Sequence, residues 1–149
     1  MQAYQRILVA IDFSDTCKQV LNRAIELGKQ NKASINLIHI VEYLPPMDPG
    51  YDAVILPDWF ENEQELVSQA EQFLHKLAAE HQIPVDQCHV IIGAPKLEII
   101  RYSEENHIDL IVIGSHGRHG LQRLLGSTAN PVLHHADCDV LAVRIKAPS

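Results

Sequence analysis

The residues best suited to chemistry lie in one glycine-rich stretch, which runs from Gly114 to Thr128. The stretch follows an apolar run, carries glycine at 114, 117 and 126, and ends in Ser127 and Thr128 just before a segment with helical spacing. A strand that leads into such a loop and then a helix is a common phosphate site, because glycine lets the backbone approach an anion and the helix start offers free N–H groups. Ser127 is the expected N-cap of that helix, and its hydroxyl and N–H can face a phosphate instead. The pattern therefore predicts either an anion-binding loop or an ordinary glycine turn before a capped helix.

Arg118 and Arg123 within the stretch could neutralise phosphate charge, although Arg123 fits an exposed, solvated position better, and the motif around them disfavours two familiar classes of site. His116 precedes Gly117 and Arg118 follows it, so a guanidinium able to neutralise phosphate charge stands inside the loop. The stretch contains no Gly-Lys-Ser/Thr and is therefore not a P-loop. It also lacks Gly-x-Gly-x-x-Gly, which disfavours a dinucleotide site for hydride transfer.

Asp12 is the second candidate, because it comes directly after the first apolar run of the chain, residues 7–11. In an open α/β sheet, ligands bind outside the carboxyl ends of the strands, where the strand order reverses. A carboxylate at that position can accept hydrogen bonds from a ribose hydroxyl or an adenine amine. Alternatively, Asp12 helps to cap a helix that starts near Ser14. The sequence leaves both roles open.

Other chemistry has weaker support in the sequence. The nine histidines do not form a ligand pattern typical of a metal site, so we assign no metal ligands. No serine, histidine and acid can be grouped into a triad from spacing, and no strong general base stands beside the glycine stretch. We therefore assign no catalytic residue and expect at most weak turnover.

Composition and charge narrow the partners and the compartment. The 149 residues suit one domain over 1–149, and the formal net charge of −7 disfavours a nucleic acid or an anionic membrane surface as partner. No apolar run approaches the roughly 20 residues that span a bilayer, and the N-terminus does not resemble a secretion signal. Three widely spaced cysteines fit neither a disulfide framework nor a metal site. We expect a cytoplasmic protein.

Apolar runs and helical spacing alternate along the chain. The predicted strands are 7–11, 35–41, 88–92, 110–113 and 140–145. The predicted helices run from a cap at Ser14 to Gly28 or Asn31, and over 61–81, 96–106 and 127–135, with a long loop at 43–58. Strands that alternate with helices predict an open parallel sheet with helices on both faces, the α/β class. In the second long helix, the expected apolar stripe is Leu66, Ala70, Phe73, Leu74 and Leu77.

The chain resembles the universal stress protein family over nearly its whole length. The resemblance lies in residues 7–14, 37–41, 93–95, 109–117, 124–127 and 139–144. It implies a Rossmann-like sheet of five parallel strands in the order 3-2-1-4-5, with the reversal of order between the strands that end near Asp12 and Gly114. It also implies a homodimer formed through the last strand, around Val140, Ala142 and Arg144, since pairing covers an open sheet edge.

The resemblance further implies a nucleotide site, because one branch of the family binds ATP through Gly-x2-Gly-x9-Gly-Ser/Thr and another branch binds none. In this chain, eight residues rather than nine separate Gly117 from Gly126. Three functions stay open: a dimeric sensor that binds ATP or a related adenine nucleotide, with Mg²⁺ or Mn²⁺ accompanying it; a dimer that acts by protein interaction without nucleotide; and a slow ATPase or nucleotide transferase. The nucleotide-site residues would be Ala10, Asp12, Ile40, Gly114, His116, Gly117, Arg118, Gly126, Ser127 and Thr128.

Overall fold

The structure, a computed structural model, describes residues 3–13, 17–42, 56–115 and 128–144, and only the backbone for 56–62. Within these ranges, strands and helices alternate as the sequence predicts, with one short 3-10 helix at Val85–Gln87. The strands are β1 (Arg6–Ala10), β2 (Ser34–Glu42), β3 (Cys88–Gly93), β4 (Leu110–Gly114) and β5 (Asp139–Val143). The helices are α1 (Cys17–Asn31), α2 (Leu56–Glu80), α3 (Pro95–Glu105) and α4 (Ala129–His135).

The five strands form one parallel sheet in the order β3-β2-β1-β4-β5, which confirms the predicted fold class and strand order. Strand β1 lies at the centre, with Ile7 opposite Ile35 of β2 and opposite Leu110 of β4. Short runs rich in branched apolar residues suit such a strand, because helices cover both of its faces. The strand order reverses between β1 and β4, so the carboxyl ends of these two strands mark the expected ligand crevice.

Two apolar clusters hold the helices to the sheet. Alternate residues of each strand point to opposite faces, so neighbouring residues of β1 belong to different clusters. Ile7 and Val9 pack with α1 and α2, whereas Leu8 packs with α3 and α4. All three side chains are fully buried. No helix in the described ranges is both long and apolar enough to cross a membrane.

Helix α2 begins earlier than the sequence predicts. Its first residue is Leu56, so the predicted start at 61 is wrong and the predicted loop at 43–58 is too long at its far end. The error comes from Pro57, which suggests a loop but is tolerated in the first helical turn, where the N–H has no intrahelical partner. The structure also corrects the apolar stripe, since Leu66 is 53% exposed and Phe73 is 48% exposed. The other three members of the stripe are buried.

Most other elements differ from the prediction by one or two residues at an end, and three of these differences concern candidate site or dimer residues or the central strand. Helix α4 starts at Ala129 rather than at residue 127, and Thr128 stands at the N-cap position without a side-chain capping bond. Pro131 fits this start, because it then lies within the first turn. Strand β5 ends at Val143, so Arg144 follows the strand instead of lying in it. Strand β1 covers 6–10 rather than 7–11.

Candidate functional site

Strands β1 and β4 separate at their carboxyl ends. Their ladder ends at the pair Val9 and Val112. Beyond that pair, the Ile11 N–H donates to a β2 carbonyl at 2.9 Å, and the Ser115 N–H donates to a β5 carbonyl at 2.9 Å. Each central strand therefore stays with its outer neighbour, and a crevice opens between the two at the reversal of strand order.

The turn after β1 forms one wall of this crevice and carries the half-buried Asp12. The next residue, Phe13, has a φ of 60°, a left-handed conformation that is unusual for a bulky side chain. His39 of β2 holds this turn, because its Nδ1 lies 2.7 Å from the Ile11 carbonyl oxygen. A carbonyl oxygen only accepts hydrogen bonds, so Nδ1 carries the proton and donates.

Aromatic packing secures the same turn. The Phe13 ring stacks on the His39 ring, with centroids 3.9 Å apart and planes 23° from parallel. Phe73 of α2 also packs against the Phe13 ring, at a centroid distance of 4.5 Å and an angle of 57° between the ring planes. Stacked and tilted ring pairs of this kind contribute about 0.5–1.5 kcal/mol beyond their buried area. Two elements thus fix the backbone that presents Asp12.

The apolar floor of the crevice comes from the strand face that packs on α3 and α4. Ala10, Ile40 and Ile113 belong to the cluster on that face. Ala10 is the last residue of β1, and Ile40 lies two residues beyond its partner in β2. The structure therefore brings the two positions predicted to frame an adenine to one edge of the sheet.

The other wall is the end of β4. Gly114 is the last residue of the strand and pairs with Val143 of β5. Ser115 follows it, and its side chain is buried, with 7% exposure and no hydrogen-bond partner for its hydroxyl in the described part of the chain. Thr128 lies at the same edge, because α4 runs antiparallel to the strands and begins at their carboxyl ends.

The structure thus places Ala10, Asp12, Ile40, Gly114 and Thr128 at the carboxyl edge of the sheet. The remaining predicted site residues lie outside the described residues, as does the predicted cap Ser14. Those site residues are His116, Gly117, Arg118, Gly126 and Ser127.

Sequence reasoning missed three residues that shape the site, namely Phe13, His39 and Ser115. Each had a weak signal: an aromatic residue directly after Asp12, a histidine within a β-branched run, and a serine between two motif residues. Within the described ranges, no three His, Cys, Asp or Glu side chains gather as a metal-binding group.

Comparison with known proteins agrees with this architecture. The model of the universal stress protein family matches residues 3–144. The chain belongs to the universal stress protein family. It is 40% identical over 143 residues to the universal stress protein A homolog 1 of Coxiella burnetii, and the match covers 96% of this chain and 98% of the relative.

Solved structures of the family share the fold. Universal stress protein UspA from Lactobacillus plantarum superposes with a TM-score of 0.78 at 25% identity, covering 96% of this chain and 98% of that one. A universal stress protein solved in complex with cAMP superposes with a TM-score of 0.60 at 23% identity, covering 95% and 98%. The second likeness is a likeness of fold.

Proposed function

We propose that this universal stress protein is cytoplasmic, binds ATP or a related adenine nucleotide, and acts as a dimeric regulator or sensor with little or no turnover. The observation that carries the proposal is the separation of β1 and β4, which leaves Asp12 and Gly114 on opposite sides of a crevice. Such crevices are where open α/β sheets bind their ligands. The family member solved with cAMP supports an adenine nucleotide as the ligand class.

Each described residue of the site has a part in this proposal. The Asp12 carboxylate accepts hydrogen bonds from the nucleoside, and the backbone at Ala10 and Ile40 frames the adenine. Gly114 lets the nucleotide approach the end of β4 closely, since glycine has no side chain to obstruct it. The rest of the phosphate site is the glycine stretch predicted from sequence, with Arg118 supplying positive charge.

A divalent ion would be held mainly by the nucleotide itself. Mg²⁺ prefers oxygen ligands and is usually bound through substrate phosphates with one or two carboxylates. Asp12 is the one carboxylate that the structure describes directly after β1, and no group of three candidate ligands occurs among the described residues. Mg²⁺ or Mn²⁺ therefore belongs to the proposal as a companion of the triphosphate.

The dimer is proposed to form through β5. This strand is at the edge of the sheet and pairs with β4 on one side. Val140 and Ala142 are half-buried on it, and Arg144 follows directly. A second copy that pairs along this edge would cover its open backbone groups. A single monomeric species in sedimentation equilibrium of the full chain would contradict this part of the proposal.

Calorimetric titration of nucleotide-free protein with ATP and magnesium tests the nucleotide site. We expect saturable binding in the wild type and about 30-fold weaker binding in Asp12→Asn, because a hydrogen bond to a charged group is worth about 1.5–3 kcal/mol. Asparagine caps a helix about as well as aspartate, so this change isolates ligand binding from capping. The control is Asp137→Asn, which makes the same charge change at an exposed position before β5. No wild-type binding at millimolar nucleotide would overturn the proposal.

One observation favours a second function, a dimer that acts by protein interaction without nucleotide. The stretch between Gly117 and Gly126 has one residue fewer than the ATP-binding pattern of the family. In a helical turn, the loss of one residue rotates everything that follows by about 100°. Mass spectrometry of denatured, freshly purified protein separates the two functions, since co-purified nucleotide would contradict the second.

A further inference from the structure

The Ser115 hydroxyl is a buried polar group for which the described part of the chain offers no hydrogen-bond partner. Its side chain is 7% exposed, and its Oγ has no hydrogen-bond partner among the residues described. Ser103 of α3 is also buried, with 3% exposure, but its Oγ donates to the Ile100 carbonyl at 2.7 Å. Buried hydroxyls are normally hydrogen-bonded, because leaving one unpaired forfeits its bonds to water. The unpaired hydroxyl of Ser115 therefore needs an explanation that Ser103 does not.

The position of Ser115 indicates what could pair with it. Ile111 and Ile113 face α3 and α4, so alternation along the chain puts Ser115 on that same face. Leu8 and Ala10 of β1 face the same two helices, so alternation puts Asp12 on this face as well. Phe13, the next residue, packs on the opposite face. If the register between β1 and β4 is extended past its last pair, Val9 and Val112, Asp12 falls at the level of Ser115 across the crevice. A carboxylate and an unpaired hydroxyl thus stand at the same height on the two walls.

We propose that the Ser115 hydroxyl binds the ribose of the nucleoside ligand, opposite Asp12; this inference rests on the nucleotide function proposed above. A carboxylate only accepts hydrogen bonds, whereas a serine hydroxyl donates and accepts. A sugar hydroxyl also does both, so one ribose hydroxyl can donate to Asp12 while it or its neighbour accepts from Ser115. A phosphate oxygen would instead be repelled by the Asp12 carboxylate at this height.

Ser115→Ala tests the inference, because its two expected effects have opposite signs. Binding of both adenosine and ATP weakens about tenfold, since one hydrogen bond is lost and both ligands contain the ribose. The thermal midpoint of the nucleotide-free protein stays unchanged or rises, because the substitution removes an unpaired buried hydroxyl. The matched control, Ser103→Ala, lowers the midpoint and leaves both affinities unchanged.

Deoxynucleotides locate the contact on the ligand. We expect Ser115→Ala to cost at least threefold less against 2′-deoxy-ATP or 3′-deoxy-ATP than against ATP, because one of these ligands lacks the hydroxyl that Ser115 binds. A loss confined to phosphorylated ligands, with adenosine binding unchanged, would overturn the ribose assignment. Wild-type binding with unaltered affinity in Ser115→Ala would overturn this inference alone. Absence of wild-type binding would overturn the proposed function with it.

Discussion

The strands β1 and β4 are joined at the amino end of the sheet and separate at its carboxyl end. At the amino end, the Asp109 carboxylate accepts the backbone N–H groups of Gln5 and Arg6 at 2.8 and 3.0 Å. The Asp109 N–H in turn donates to the Arg6 carbonyl at 3.0 Å. The start of β1 is thus tied directly to the residue that precedes β4. At the carboxyl end, the same two strands part, and the Ser115 hydroxyl has no hydrogen-bond partner among the residues that the structure describes.

A further hydrogen bond at this amino end, which we call the closed end of the sheet, reaches the edge strand β5; the carboxyl end, where β1 and β4 separate, is the open end. The Tyr4 hydroxyl donates to the Asp139 carboxylate at 2.8 Å, which joins the segment before β1 to the first residue of β5. This hydrogen bond raises the pKa of Tyr4, because the neutral phenol is the form that donates. Polar side chains at the amino end therefore pair with each other and with backbone groups. The comparison teaches that side chains at one end of this sheet hold the strands together, whereas the other end, where β1 and β4 separate, is the end at which we propose that a ligand binds.

The most direct way to break the comparison is to remove the amino-end carboxylate. We expect Asp109→Ala to lower the free energy of unfolding by about 2 kcal/mol, because two backbone N–H groups lose a charged acceptor. The loss is no larger because both hydrogen bonds are exposed, so water can replace the carboxylate. Denaturant unfolding measures the change, and nucleotide titration of the folded variant should give the wild-type affinity. Asp109→Asn, which keeps one acceptor oxygen, should lose about half as much stability. A loss of affinity without a loss of stability would contradict the division between the two ends.

The sequence predicts the sheet and the place where its strand order reverses better than it predicts the ends of individual helices. Asp109 ends the polar segment before β4, and the runs that become β1 and β4 predict a parallel sheet with its reversal between them. These features depend on local pattern, so they can be recognised from the chain alone. The predicted start of α2 is wrong because Pro57 is as compatible with a first helical turn as with a loop. Local pattern does not decide between those two outcomes.

The open end was harder to predict, because its geometry depends on tertiary pairing. The Phe13 conformation, the hydrogen bond from His39 to the Ile11 carbonyl and the Ser115 hydroxyl, which has no partner in the described ranges, all lie just beyond the point where β1 and β4 separate. The point of separation depends on which neighbouring strand β1 and β4 each stay paired with, and no residue type in the sequence predicts it. Asp12 and Gly114 were predicted at the site because they stand at strand ends in the sequence.

A smaller effect sharpens the comparison at the open end, where His39 is expected to act as a positioning residue for Asp12. We expect His39→Phe, which keeps a ring beside Phe13 but loses the donor to the Ile11 carbonyl, to destabilise the chain by about 1 kcal/mol and weaken nucleotide binding about fivefold. His39→Asn keeps an N–H donor near the position of Nδ1 and should recover most of the affinity. Titration calorimetry and denaturant unfolding of both variants measure these effects.

The positioning role predicts coupling to Asp12. In the Asp12→Asn background, His39→Phe should have little further effect on nucleotide affinity, although it should still reduce stability. If the two affinity losses were additive instead, His39 would act on the ligand independently of Asp12. That outcome would contradict the role of His39 as a positioning residue for Asp12.

The smallest expected effect concerns Cys138, which lies at the closed end just before β5. Burial, the largest cause, and the nearby carboxylates of Asp139, Asp109 and Asp137 together raise the pKa of its thiol to about 11. At pH 8 we therefore expect iodoacetamide to alkylate Cys138 about a hundredfold more slowly than a free thiol, because the thiolate is the reactive form. Mass spectrometry of timed samples measures the rate, and Asp139→Asn should accelerate it.

The sign of the pH dependence follows from the same raised pKa. Between the unfolded value of about 8.5 and the folded value, the unfolded thiol loses its proton first, so ionisation of Cys138 makes the folded state less stable as pH rises. The control is Asp86→Asn, which should accelerate labelling of Cys88, whose pKa is raised by burial and then by Asp86, and leave Cys138 unchanged. Labelling of Cys138 at the rate of a free thiol at pH 8 would mean that burial and the three carboxylates do not raise the pKa of its thiol, which would contradict this prediction.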